Sequence, residues 1–111
     1  MYQSVIFISK HIVPRGYIGI TVYPVIFLKA TALKENLILV NHEKIHLKQQ
    51  LELLIVPFYI IYILEFLIRL IKYKNWCLAY RNISFEREAF KNEIDLDFLK
   101  TRRIWNFMYY F

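Results

Sequence analysis

His42-Glu43-Lys44-Ile45-His46 places two imidazoles four residues apart, with a carboxylate directly after the first. On a helix, residues at i and i+4 share a face, so both rings reach one ion. Glu43 falls at the edge of that face, where a carboxylate holds a water on the metal and accepts its proton. These residue types at this spacing are what a hydrolytic zinc site requires. Immediately upstream, Leu37-Ile38-Leu39-Val40 is an apolar run that suits a buried strand or its end. Asn41 then stands at the expected helix N-cap; Lys44 at N3 means that the reciprocal capping box is absent. Nothing from Asn41 to about Leu54 breaks a helix, and Pro57 marks a stop or a kink.

A zinc site of this kind needs a third protein ligand and an open fourth position. Three sources are available: His11, Cys77, or a carboxylate downstream. The downstream segment is Ile83-Ser84-Phe85-Glu86-Arg87-Glu88-Ala89-Phe90-Lys91-Asn92-Glu93. Ser84 suits an N-cap and is followed by a polar, helix-favouring run, so a helix is expected from there to about Lys100. Glu86 then lies in its first turn, where a carboxylate also complements the helix dipole.

The histidine motif followed by Phe85-Glu86-Arg87-Glu88-Ala89 resembles the gluzincin metallopeptidases, including their membrane-linked and minimal branches. In those proteins the Glu of an E-x-x-A segment is the third ligand. The resemblance therefore implies one zinc ion on His42, His46 and Glu86, with Glu43 as the catalytic general base. Residues 41–50 (Asn-His-Glu-Lys-Ile-His-Leu-Lys-Gln-Gln) and 80–89 (Tyr-Arg-Asn-Ile-Ser-Phe-Glu-Arg-Glu-Ala) are also similar to an uncharacterised family of small bacterial proteins. Many gluzincins carry Asp directly after that Ala, supporting a ligand histidine, where this chain has Phe90. Glu93 and Asp95 are the candidates to take over that support.

With 111 residues the chain is expected to form one domain, residues 1–40 strand-rich and 41–111 helical. In the first part Val5–Ile8 and Ile18–Leu28 have the β-branched and aromatic content of strands. Pro14, Gly16 and Gly19 punctuate the turn between them, and Pro24 marks an edge strand or bulge. Ala30–Asn36 reads as a loop or helical turn. The gluzincin resemblance implies an antiparallel sheet above the motif helix, with an edge strand that binds extended peptide. His11 reads as a surface residue.

Apolar residues make up 58% of the chain and aromatics 18%, high for a water-exposed domain. Leu53–Ile71 is long enough to span a bilayer, but it carries Pro57, Glu65 and Arg69. Glu65 and Arg69 are spaced to pair with each other. If this segment crossed a membrane, Glu86 would begin on the far side from His46, and a helical return from Ile71 covers only about 21 Å. A bent helix packed within the domain is expected instead, its leftover apolar surface meeting a membrane surface or a second copy in a homo-oligomer. Lys72-Tyr73-Lys74-Asn75 reads as a turn between helices, and the aromatic tail Ile104–Phe111 suits docking on the core or a membrane interface.

The net charge of +6 is scattered, which argues against nucleic acid and for anionic lipid headgroups. A single Cys77 excludes an internal disulfide, and Met1–Ser9 lacks the features of a secretory signal, so a cytoplasmic location or the cytoplasmic face of a membrane is expected. Gln49 shares the face of His42 and His46, where it either hydrogen-bonds a ligand or substrate or is simply an exposed helix residue. Arg81 and Asn82 are placed to neutralise a tetrahedral intermediate or to make local bonds. The expected whole is an α+β protein, a small antiparallel sheet on three main helices, hydrolysing peptide bonds in a peptide or protein substrate. The alternatives are a non-catalytic protein stabilised by the same metal and a membrane-surface adaptor.

Overall fold

A computed structural model describes residues 5–13 and 17–111. Pro14 and Gly16 lie outside the described residues. The architecture is α+β. Three short strands, β1 (Val5–Ile8), β2 (Gly19–Val22) and β3 (Val25–Leu28), form a sheet in the order β1-β3-β2. β2 and β3 are antiparallel, with Thr21 opposite Ile26. They are joined at Tyr23 and Pro24, so Pro24 lies in the turn, not in a strand or bulge. β1 pairs with β3 in parallel, Val5 opposite Val25, which makes the sheet mixed instead of wholly antiparallel. The segment after β1 carries the chain past the central position, and β3 then inserts there. One face, bearing Thr21, Ile26 and Leu28, is buried; the other leaves Phe7 and Val22 exposed. One-sided burial of this kind is common when a small sheet rests on a helix.

That helix is α1, Leu37–Glu52, reached through a 3-10 helix at Thr31–Glu35. Its N-cap is Asn36, whose side chain accepts from the Leu39 amide at 3.1 Å. Leu37–Val40 is therefore the first turn of the helix and not a strand. A short apolar run does not distinguish the two, and the cap directly before it decides. Asn41 acts elsewhere, its Nδ2 donating to the carbonyls of Glu93 and Asp95 at 2.8 and 2.9 Å. α1 is buried on nearly all sides. Val40 and Leu47 join Ile26 and Leu28 in one core cluster, where each fully buried aliphatic side chain is worth about 1.5–3 kcal/mol.

α1 and α2 (Val56–Tyr73) meet at an angle of 114°. The break is at Leu54 and Ile55, both at positive φ (61° and 68°). Pro57 sits in the first turn of α2, where its missing N–H is harmless. No single described helix is long and apolar enough to cross a membrane. Glu65 does not pair with Arg69. Its carboxylate accepts from Ser84 N and Oγ at 2.9 and 2.5 Å, capping the N-terminus of α4 (Ser84–Asn92) from across the domain. Ser84 is thus the first residue of α4, and Ile83 is the N-cap. The turn after α2 is made by Lys74, in left-handed conformation, and Asn75, which caps α3 (Trp76–Arg81).

The helix expected to reach Lys100 is two helices. α4 ends at Asn92 because Asn41 draws the carbonyls of Glu93 and Asp95 out of the helical ladder, and α5 (Phe98–Thr101) follows separately. A final 3-10 helix, Asn106–Tyr110, delivers Phe107 into a second core cluster with Phe58, Ile83 and Phe85.

Candidate metal centre

α1 presents His42 and His46 on one face, and the first turn of α4 presents Glu86 to them. Glu86 Oε1 lies 3.2 Å from His42 Nε2 and 3.1 Å from His46 Nε2, and the two imidazole nitrogens are 3.2 Å apart. Tetrahedral zinc with ligands at about 2.0–2.1 Å separates neighbouring donors by about 3.3 Å. The triangle therefore has the size of one face of such a coordination shell. All three residues are buried, and the group is suited to hold a metal ion. His11 is exposed in the connection after β1, and Cys77 is exposed on α3; neither belongs to this group.

Each donor is oriented by a partner. His46 Nδ1 lies 2.8 Å from Gln49 Oε1, while Gln49 Nε2 donates to Phe85 O at 3.1 Å and to Glu88 Oε1 at 3.0 Å. Those two acceptors fix the amide orientation, which puts one proton of His46 on Nδ1 and makes Nε2 the nitrogen a metal ion would take. His42 Nδ1 faces Glu93 Oε1 at 3.5 Å, and the Phe90 ring packs edge-on against His42 at 4.6 Å. Of the two candidates for that support, Glu93 stands beside His42, and Asp95 instead gives its carbonyl to Asn41. The Tyr62 hydroxyl donates to Glu86 Oε2 at 2.6 Å, which turns Oε1 toward the histidines.

Burial disfavours charge on both His46 and Glu86, yet their mutual attraction outweighs it. His46 is pushed up to about 9, chiefly by the Glu86 carboxylate. Burial likewise acts to raise Glu86, but the His46 charge and hydrogen bonds from both histidines hold it well below the usual carboxylate range. Burial first, then the charge of Glu86, pushes the Tyr62 and Tyr80 hydroxyls far above their ordinary value, so both remain neutral donors.

Glu43 is buried beside this triangle. Its Oε1 accepts from Thr21 Oγ1 at 2.6 Å, which ties it to β2. A Cβ on Gly19 would come within 3.3 Å of Glu43 Oε2 and 3.1 Å of Leu28 Cδ2, so only glycine lets the strand approach this closely. The edge of β2 is held by Gln50, which donates to Thr21 O at 2.8 Å and accepts from Tyr23 N at 2.7 Å, and by Tyr59, which also donates to Thr21 O. Two cavities, of about 350 and 580 Å³, meet at Glu43. The smaller is lined by His46, Glu86 and the aromatic side chains of Phe58, Tyr59 and Tyr62. The larger is lined by His42, Cys77 and Arg81, whose guanidinium stacks 4.1 Å above Phe90. Asn82 lines neither; it donates to Leu78 O and accepts from Arg87.

Behind Gln49 lies a buried ionic cluster. Arg102 donates to both oxygens of Glu88 and, at 2.7 Å, to Glu52 Oε2. Burial works against the Arg102 charge, but the two carboxylates raise its pKa further. Sequence reasoning does not reach Tyr62, Thr21, Glu88 or Arg102. The recurrence of Tyr59, Tyr62 and Glu65 at three-residue steps in a largely apolar helix is the one signal that points inward. Arg102 carries none.

No protein-family model, curated protein or solved structure matches this chain.

Proposed function

We propose that the chain is a zinc-dependent peptidase of minimal gluzincin type, with His42, His46 and Glu86 as ligands and Glu43 as general base. The observation that carries this reading is the three-donor set, of which His46 and Glu86 line the smaller cavity and His42 the larger, with Glu43 lining both. Structural zinc sites are closed by four protein ligands, whereas catalytic ones keep a position open. The donor set of two imidazoles and one carboxylate is that of hydrolytic zinc.

When bound, the ion supplies a lowered water pKa and polarises a carbonyl. The protein supplies the remainder. Glu43, held by Thr21, takes the proton from the attacking water and returns it to the leaving amine. Tyr80, a neutral donor lining both cavities, is placed to hydrogen-bond the oxygen on which charge develops. An extended peptide passing from one cavity to the other would cross Glu43.

Glu43→Gln tests the assignment against a purely structural metal. The variant is expected to keep one zinc per chain by elemental analysis and to lose hydrolysis of a quenched-fluorescence peptide library by at least about a hundredfold. Undiminished cleavage by this variant defeats the mechanism.

A further inference from the structure

The outer face of α2 is built for a solvent other than water. Ile60, Ile63, Leu64, Leu67, Ile68 and Ile71 recur at the three- and four-residue steps of one helical face, and all are exposed, Ile71 to 78%. Three hydrogen-bonding groups of the same helix point inward. Tyr59 donates to Thr21 O, Tyr62 to Glu86, and Glu65 accepts from Ser84. A helix of a water-facing domain has the opposite arrangement; polar groups turned inward and aliphatic ones outward belong where the surroundings are hydrocarbon.

The ends of this face have the chemistry of an interface. At its start Leu54 is exposed, and Trp105 is anchored beside it by bonds to Glu52 O and Oε1. At its finish stand exposed Lys72, Lys74 and Trp76. Indole rings favour the headgroup level, and lysines there attract anionic lipid. The chain carries a net charge of +6. A second copy would bring that like charge face to face, whereas an anionic surface complements it. α1 is enclosed by the sheet and α4, and the 114° bend turns α2 away from it.

We infer that α2 docks in the plane of an anionic bilayer surface, its aliphatic face among the acyl chains and Lys72 and Lys74 at the headgroups. The inner face of the helix lines the smaller cavity, which places that cavity about one helix diameter, ~10 Å, from the lipid. The docking is independent of the metal and of catalysis.

Co-sedimentation of the purified full chain with vesicles tests it. Binding is expected to vesicles of phosphatidylcholine mixed with phosphatidylglycerol, and to be weaker with phosphatidylcholine alone. The double substitution Ile63→Glu with Leu67→Glu is expected to weaken binding about tenfold or more. Lys72→Glu with Lys74→Glu should weaken it about fivefold per lysine at low salt. Ile94→Glu, at an exposed site away from α2, should leave it unchanged. In the wild-type chain, which needs no variant to fold, brominated acyl chains should quench Trp105 and Trp76 fluorescence. Three outcomes overturn the inference: no vesicle binding by the wild type, vesicle binding untouched by the Ile63/Leu67 change, or a vesicle-free dimer that this change dissociates.

Discussion

Gln49 donates through Nε2 to Glu88 Oε1 at 3.0 Å, and with the other end of the same amide it meets His46 Nδ1 at 2.8 Å. One side chain thus joins the proposed metal to the ionic cluster around Arg102. Gln49→Ala should weaken zinc binding about 10–100-fold, the usual effect of losing a partner that orients a ligand histidine. Competition against a chromogenic chelator measures it. Helical circular dichroism should persist, and equal affinities for the variant and the parent would show that Gln49 only fills space.

Metal affinity should rise with pH. Without metal, burial opposes a charge on His46, yet Glu86 holds its proton up to about pH 9. The ion needs the same nitrogen, so binding below pH 9 expels a proton, and affinity climbs by up to about tenfold per pH unit before levelling above 9. For the metal-free chain the sign reverses. A histidine raised above its unfolded value of 6.5 contributes stability that is complete below 6.5 and lost as pH approaches 9. Titration calorimetry in buffers of different ionisation enthalpy reads the proton at neutral pH, and finding none released there refutes the coupling.

Gly19→Ala should separate catalysis from metal binding. The added methyl meets Leu28 Cδ2 at 3.1 Å and Glu43 Oε2 at 3.3 Å, and its nearest neighbours include none of the three donors. Moving Glu43 by a few tenths of an ångström would displace the proposed base from its working position. The expected result is zinc content as in the parent, with kcat at least about tenfold lower. A variant with full kcat would mean that the close approach of β2 is immaterial to the chemistry.

Arg102→Met should be among the most destabilising single changes. The guanidinium is fully buried between Glu88 and Glu52, and its removal strands two carboxylates away from water. Breaking a buried ion pair from one side costs about 3–5 kcal/mol. Urea denaturation checks this. Arg102→Lys should recover only part of it, because an ammonium cannot make the two-pronged contact.

His42, Glu43 and His46 are legible in the sequence because their relation is covalent: a helical repeat brings them to one face whatever surrounds them. Glu86 is reached by resemblance to an E-x-x-A segment, and its distance from the histidines is a tertiary fact that spacing alone does not carry. Strand content before Leu28 and the departure of α2 from α1 near Pro57 are also readable. Leu37–Val40 misleads because four apolar residues fit either a strand or a helical turn, and the deciding Asn36 lies upstream of the cap expected at Asn41. The long helix to Lys100 fails for a reason invisible in local propensity. An amide at Asn41, distant along the chain, claims the carbonyls that would have continued it. The Glu65–Arg69 pair fails in the same way, to Ser84 on another helix. Polar groups choose partners across the fold, and patterns along the chain do not record that choice.

The Arg102 cluster also sets an order of assembly during synthesis. A ribosome delivers both histidines and Glu86 before Arg102, yet until that guanidinium emerges Glu88 and Glu52 lack their shared cation and Gln49 is anchored by Phe85 O beside an unsettled Glu88. A nascent polypeptide halted short of residue 102 should therefore retain zinc poorly, and the proposed centre would ripen only once Arg102 has joined it. Stalled-chain complexes arrested before and after Arg102 clears the exit tunnel, assayed for metal retention, would reveal whether that timing holds.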